Sequence, residues 1–485
     1  MTKSIEQIPA PAPMPLFGWR GTLWQLFSDP LNYLQKLRQQ HGDVFAFVRG
    51  GNPPIFFPAN GRPHTLMAFG AEFNRQLLSN SDVFYSGPLL GPMHPMGEVN
   101  ARRSVLKRLG TGLFGVNGIE HRRQRRLVMP AFHKQKLGEY YQDMIRIIQW
   151  NLDSWKLNEQ RDIWNDMMNI TLQVAAQCLF GLDIRREGQA FGDLIQEWLH
   201  HATSPQTVSL QIDLPGFPYH RFLNLSHKLD TTIRELIQQR RNAEGQDVLS
   251  LLLNSRDENG NPAFTDDEII GHSVIFIIAG HETSSNALAW TFFLLSQHPQ
   301  VMKNLRLELD EKLGSQTPAY DSLKQLTYLD NIVKESMRIL PPVPMSARVV
   351  ASPIELGGYL LPIGTEIGFS HFHTHHDSSI YQDPETFNPS RWQHINPSAH
   401  EYMPFSAGIR ACIGMPFALM EIPLILALTL QRYRLELVPN SKIDLNVGIT
   451  ISPKHGLSMF IRPADGNYEA GAGNVKGTIR NVVNL

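Results

Sequence analysis

The chain has 485 residues, of which 42% are hydrophobic, with 44 Lys and Arg set against 45 Asp and Glu. Such a length can bury a large core, and the balanced charge argues against a nucleic-acid binder working by bulk electrostatics. Two cysteines, Cys178 and Cys412, give no disulfide framework and fit a reducing, cytoplasmic compartment.

In chain order, residues 1–16 form a Pro-rich arm without the apolar core of a signal peptide. Residues 29–41 carry the spacing of a short amphipathic helix ending by Gly42. Val44–Val48, Pro54–Phe57 and Thr65–Phe69 are predicted strands, with turns at Gly50-Gly51 and Asn60-Gly61. The Gly- and Pro-rich stretch 87–118 is predicted to be a mobile loop region. Helical spacing follows over 134–160, 163–181, 187–202 and 219–242, with the proline-punctuated Leu210–Pro218 between the last two. Residues 265–296 form the longest apolar helix. After Pro341 the pattern shifts to short strands and turns, until an apolar helix opens at Pro416. Strands are predicted again over 433–462, and the Gly- and Asn-rich segment 463–485 is predicted to be a flexible tail. No linker or repeat divides the middle, so 17–462 is predicted to be one large domain, mainly α with a smaller β-rich part. The longest uninterrupted apolar runs, such as Ile275–Ala279 and Ile422–Leu430, fall short of the ~18 residues needed to cross a bilayer, so no transmembrane anchor is expected.

Several stretches carry chemistry. Cys412 lies in Phe405-Ser406-Ala407-Gly408-Ile409-Arg410-Ala411-Cys412-Ile413-Gly414, just ahead of the Pro416 helix, whose N-terminus favours a thiolate. Gly408 and Gly414 let backbone approach a bulky partner. Alone, the cysteine is far more readily a small buried apolar residue. Inside the long helix, Gly280 costs about 1 kcal/mol relative to Ala. Thr283 can bond back to a carbonyl one turn earlier. The pair marks either a functional weak point or a close helix contact. Glu335 and Arg338, three apart, share a helix face, and by spacing alone they are a surface ion pair. In the basic run His121-Arg122-Arg123-Gln124-Arg125-Arg126, His121 and Arg125 share a helix face, although any such run is by default a solvated basic surface. His371, His373 and His375 alternate as ligands on one strand face would, with His376 adjoining, but no Cys, Asp or Glu joins the alternation.

The pattern Phe-x-x-Gly-x-Arg-x-Cys-x-Gly at 405–414 resembles the haem-ligand loop of the cytochrome P-450 superfamily, the haem-thiolate monooxygenases, at all its fixed positions. The resemblance extends over about residues 15–462 and implies the cytochrome P-450 fold with haem b as cofactor. Cys412 would be the axial ligand of the iron, with Phe405 and Gly414 beside it. Ala279-Gly280-His281-Glu282-Thr283 looks like the family's oxygen-activation motif, in which Ala279 and Gly280 form a groove for dioxygen, Thr283 holds it and Glu282 helps deliver protons. Glu335, Arg338 and Arg391, the last in Phe387-Asn388-Pro389-Ser390-Arg391-Trp392, would form a buried structural triad bracing the cysteine loop. His121, Arg125, Arg348 and Arg410 occupy positions that contact the haem propionates, which leaves Arg122, Arg123 and Arg126 for docking an acidic redox partner.

By the same analogy the pocket draws on Phe276, Ala279, Val343, Met345 and Ile451, although Phe276 is equally a core residue. This largely apolar lining implies a lipophilic substrate, with fatty acids or terpenoids favoured. No nucleotide fingerprint follows a predicted strand, so electrons would come from a separate ferredoxin or flavodoxin and its NAD(P)H reductase. Two rivals remain at this stage, a peroxide-driven peroxygenase and a non-catalytic haem-binding sensor or carrier.

Overall fold

The longest predicted helix is the axis of the molecule. The structure is a computed structural model and describes residues 3–12, 14, 19–47, 65–87, 100–182, 189–204, 206–207, 210–241 and 245–485. In it, Asp266–Gln297 is one α-helix of 32 residues, ~48 Å long at 1.5 Å per residue. A capping box starts it: Glu268 N–H donates to Thr265 Oγ1, and Thr265 N–H donates to Glu268 Oε2. Three acidic residues in its first turn suit the positive end of the helix dipole. Its body is largely buried on every side, as suits a helix running through a core.

Around this axis the chain forms, in order, β1 (Lys3–Ser4), α1 (Trp19–Ser28), α2 (Pro30–His41), β2 (Val44–Ala46), β3 (Thr65–Ala68), α3 (Ala71–Ser79), β4 (Phe84–Tyr85) and α4 (Ser104–Leu109). The helical bulk follows as α5 (Gly118–Val128), α6 (Lys134–Asp153), β5 (Gln160–Asp162), α7 (Ile163–Phe180), α8 (Gln189–Thr203), α9 (Pro218–Arg241), α10 (Val248–Asn254), the axial helix α11, α12 (Pro299–Lys312) and α13 (Thr327–Ile339). The last third supplies β6 (Met345–Val350), β7 (Ile354–Leu356), β8 (Tyr359–Leu361), β9 (Glu366–Ser370), α14 (His371–His375), α15 (Met415–Arg432), β10 (Tyr433–Leu437), β11 (Leu445–Val447), β12 (Ile451–Pro453) and β13 (Ser458–Pro463).

Helix α11 packs against α4, α7, α13 and α15. The main sheet has strand order β2-β3-β9-β6-β4, with β9 antiparallel to β6 and Arg348 opposite Ile367. This places Arg348 at the edge of the helical core. Of the described helices, α15 alone has the length and composition to cross a membrane, yet 67% of that stretch is buried inside the protein.

The structure corrects several expectations. Within 87–118, Ser104–Leu109 is a helix with Val105, Leu106 and Leu109 fully buried. Gly112 lies so close to Gly271 of α11 that a Cβ would collide with its carbonyl. This part of the stretch is therefore packed rather than loose, while 88–99 lies outside the described residues. So do the predicted strand Pro54–Phe57 and the turns at Gly50-Gly51 and Asn60-Gly61. Helices α10 and α12 were not anticipated, although Pro299 in the first turn of α12 is a start signal. His371–His375 is a short helix, not a strand. The segment expected to be a flexible tail is anchored: Ile479 is fully buried, Val475, Val482 and Val483 nearly so. Lys476 pairs with Lys442, and Asn484 pairs with Thr386.

Candidate active site

The Cys412 loop is fixed by its own backbone. Cys412 N–H donates to Phe405 C=O over 2.8 Å, and Ser406 and Gly408 both adopt the left-handed conformation. A Cβ on Gly408 would collide with Leu78 C=O, so this glycine seats the loop against α3 rather than against a bound group. Gly414, with an ordinary φ, stands next to the cysteine sulfur. The N–H groups of Gly414 and Met415 reach the thiol. They and the Arg125 charge favour its ionised form, but burial outweighs them and pushes the Cys412 thiol up. The helix N-terminus alone therefore does not make a thiolate, contrary to the expectation from sequence. A coordinated metal cation would. Cys412 still has accessible surface although it sits deep in the fold, so that surface faces an internal space.

Three arginines and a histidine face the same region. His121 is buried with an unpartnered Nδ1. Burial, together with Arg410, Arg125, Arg122 and Arg348, pushes it down to about 4. Arg348 is buried, donates to Ala347 C=O and lies over the Phe369 ring. Burial and the charge of Arg410 push it down to about 10. Arg410, also pushed to about 10 by burial and Arg125, donates to Leu113 C=O, Val116 C=O and Asn117 Oδ1. It thus ties the cysteine loop to the segment before α5. Burial also lowers Arg125. Among the described residues no carboxylate pairs with His121, Arg125, Arg348 or Arg410. Several buried like charges without an anion are costly, and a ligand with two carboxylates would relieve them. With a thiol on the same space, the residues present fit haem.

The basic run divides differently from the expectation. Arg123 is bound to Glu120, Glu268 and Ala263 C=O, so it locks α5 to α11 and is not a free docking charge. Arg122 is half exposed and paired with Asp82, and Arg126 is exposed.

On α11, every residue from Ile269 to Gln297 is buried except Ala279, Gly280, Glu282 and Thr283. The only accessible window in this part of the axial helix is thus the predicted motif. Thr283 Oγ1 donates to Ala279 C=O over 2.8 Å, as anticipated. A Cβ on Gly280 would meet α7 only at 3.9–4.0 Å, an ordinary contact, so helix packing does not demand glycine there. Glu282 Oε1 accepts a hydrogen bond of 2.6 Å from Thr450 Oγ1, a partner that nothing in the local sequence signals.

Glu335, Arg338 and Arg391 come together in the interior. Arg338 donates to both Glu335 oxygens over 3.0 and 2.9 Å. Arg391 Nε donates to Oε1 over 2.8 Å, and Asn388 N–H and Trp392 Nε1 complete the carboxylate's partners. The remaining guanidinium N–H groups hold the carbonyls of His375, Pro384, Gln382, Asp383 and Thr386. Trp392 packs on Tyr402 with ring centroids 4.5 Å apart, and Tyr402 lies three residues before Phe405 of the cysteine loop.

Of the pocket residues, Val343 and Met345 are partly exposed. Phe276 is core, edge-on to Phe132 and stacked on His272. Ile451 is fully buried and its carbonyl accepts from Trp290 Nε1, so it is not a pocket wall. The histidines do not form a metal site. Among the described residues no group of three His, Cys, Asp or Glu side chains is placed to hold one, and the rings on α14 are engaged by backbone, His371 and His375 by Met403 and His373 by Leu31 C=O.

This fold, with a cysteine in a glycine-flanked loop beside a cluster of buried arginines and a long central helix accessible at one motif, is that of a haem-thiolate oxygenase. The sequence model of the cytochrome P-450 family matches residues 96–457, and the chain belongs to that family. It is 32% identical to the cyclooctat-9-en-7-ol 5-monooxygenase of Streptomyces melanosporofaciens, over 90% of each chain. It is 30% identical to the pentalenene oxygenase of Streptomyces avermitilis, over 90% of this chain and 92% of that one. The solved structure of retinoic acid-bound cyanobacterial CYP120A1 superposes with a TM-score of 0.79 at 24% identity, covering 96% of this chain and all of the other. The protein is a cytochrome P-450 monooxygenase.

Proposed function

We propose that the chain binds haem b and hydroxylates or epoxidises a lipophilic terpenoid in the cytoplasm. The electrons would be delivered by a separate ferredoxin or flavodoxin and its NAD(P)H reductase. The single observation carrying the reading is the window on α11: from Ile269 to Gln297 the helix is accessible only at Ala279, Gly280, Glu282 and Thr283. The terpenoid class is supported by the names of the two Streptomyces relatives and by the apolar residues at Val343 and Met345. The overall change is R–H + O2 + 2 electrons + 2 protons → R–OH + H2O.

Haem, when bound, supplies dioxygen binding and activation at an iron held by a thiolate. Cys412 would provide that thiolate, with the Gly414 and Met415 N–H groups moderating its charge. Arg125, Arg348 and His121 would hold the two propionates, with Arg410 placed by its grip on 113–117. Ala279 and Gly280 leave room beside the reacting centre. Thr283 presents a hydroxyl, and Glu282, fixed by Thr450, is the acid that passes protons toward it. Glu335, Arg338 and Arg391 hold the loop. Arg122 and Arg126 offer the exposed positive charge for an acidic electron donor.

The test is turnover of cyclic terpenes by purified holoprotein with a ferredoxin and its reductase under labelled dioxygen. One labelled oxygen atom per product molecule is expected. Thr283→Ala should lower the rate of product formation about a hundredfold, at the low end of the range for loss of a positioned proton-transfer group, with haem content unchanged. Faster turnover with hydrogen peroxide than with the donor would make the protein a peroxygenase instead.

A further inference from the structure

The histidines at 371 and 375 are not ligands, yet their placement is specific. Both rings meet one residue, Met403, two positions before Phe405. His371 Nδ1 lies 2.8 Å from Met403 C=O, and His375 Nε2 accepts from Met403 N–H over 3.0 Å. Both peptide groups of Met403 are thus captured by side chains from one turn of α14. His371 Nε2 lies 3.0 Å from Ser346 Oγ on β6, two residues from Arg348. The His375 carbonyl accepts from Arg338, and its ring packs on Tyr402. Met403 C=O also accepts from Ser406 N–H, and Cys412 N–H returns to Phe405 C=O. A continuous path of hydrogen bonds therefore leads from the Glu335–Arg338 pair through α14 to the cysteine.

Both rings must be the Nδ1–H tautomer, but they present opposite nitrogens to Met403. A carbonyl only accepts, so His371 carries its proton on Nδ1 and offers Nε2 to the Ser346 hydroxyl. A peptide N–H only donates, so His375 presents a bare Nε2 and carries its proton on Nδ1, which is buried without a partner. Burial keeps both rings neutral.

We propose that His371 and His375 are positioning residues that clamp Met403 from both sides, His371 donating from Nδ1 to its carbonyl and His375 accepting at Nε2 from its N–H, and thereby set the geometry of Cys412 as ligand. The inference rests on Cys412 being the thiolate ligand. It predicts a pattern of rescue that depends on which ring nitrogen is imitated. Asn places its amide where Nδ1 was, and Gln places its amide where Nε2 was. His371→Asn and His375→Gln should therefore keep the clamp, whereas His371→Gln and His375→Asn should break it.

Two readouts on the holoprotein test this. The carbon monoxide complex of the reduced protein reports thiolate ligation by its red-shifted band, and amide hydrogen exchange reports the Met403 N–H directly. His375→Asn leaves a buried N–H without an acceptor, which should raise the fraction lacking the thiolate band by about tenfold and speed Met403 exchange by about as much. His375→Gln should stay near wild type in both. Should His375→Asn not fold, Ser346→Ala removes only the support of His371 and should give a smaller change of the same sign. Equal behaviour of the Asn and Gln variants at each position, or unchanged exchange and spectrum in His375→Asn, overturns the clamp. A wild-type holoprotein without the thiolate band sinks the ligand assignment, and this inference with it.

Discussion

Glu421 on α15 is a carboxyl with no exposed surface, and neither oxygen has a close partner. Burial pushes it up to about 8, with the neighbouring Ser284 hydroxyl offsetting part of the effect. The folded protein therefore keeps a proton that the unfolded chain releases near the ordinary carboxylate value. This group's contribution to stability is full below about pH 4.5 and is lost as pH rises toward 8. Glu421→Gln cannot ionise, so it should melt higher than wild type at pH 9 and about equally at pH 5. Melting curves across that range check this, and a constant difference would show that the residue acts by packing alone.

The paired elements around Glu335 show why a short motif needs partners. The carboxylate accepts from Arg338, Arg391, Asn388 and Trp392, which come from α13 and from a turn more than fifty residues later. Fully satisfied, such a network fixes one arrangement. With its acceptor removed, it strands two buried guanidinium groups. Glu335→Ala should cost about 3–5 kcal/mol, seen as a lower urea midpoint and loss of haem on gel filtration. A variant retaining haem and stability would show that the carboxylate has no bracing role.

Across the whole molecule, burial sets the response to acid. His272 and His376 are pushed to about 3, and His371 and His373 to about 4, by desolvation above all. Each is neutral when folded and binds a proton near pH 6.5 when unfolded. Their contribution is full above about 6.5 and falls as pH drops toward 4, by up to ~1.4 kcal/mol per pH unit for each ring. A steep loss of the urea midpoint between pH 6.5 and 4 is expected. The anchored C-terminal segment gives a second prediction at this scale. Burying Val475, Ile479, Val482 and Val483 is worth about 1.5–3 kcal/mol for each fully covered side chain. A chain shortened to residue 463 should therefore melt well below the full chain or aggregate, and equal melting would contradict the packing.

By itself the sequence determined what contiguous chemistry requires: the cysteine between its glycines, Ala279 to Thr283 at helical spacing, and the pairing of Glu335 with Arg338. Local backbone conformation and side-chain type are enough to write such motifs. The tertiary structure decided everything that depends on partners distant in the chain. It gathered Arg348 and Arg410 with His121, withdrew Arg123 into an ion pair with Glu268, buried Ile451 and set Thr450 on Glu282. It also folded three alternating histidines into a helix turn, two of whose rings grip Met403. The reason is physical: a hydrogen bond or a buried charge is specified by what lies within about 3 Å of it, and sequence separation carries no record of that distance.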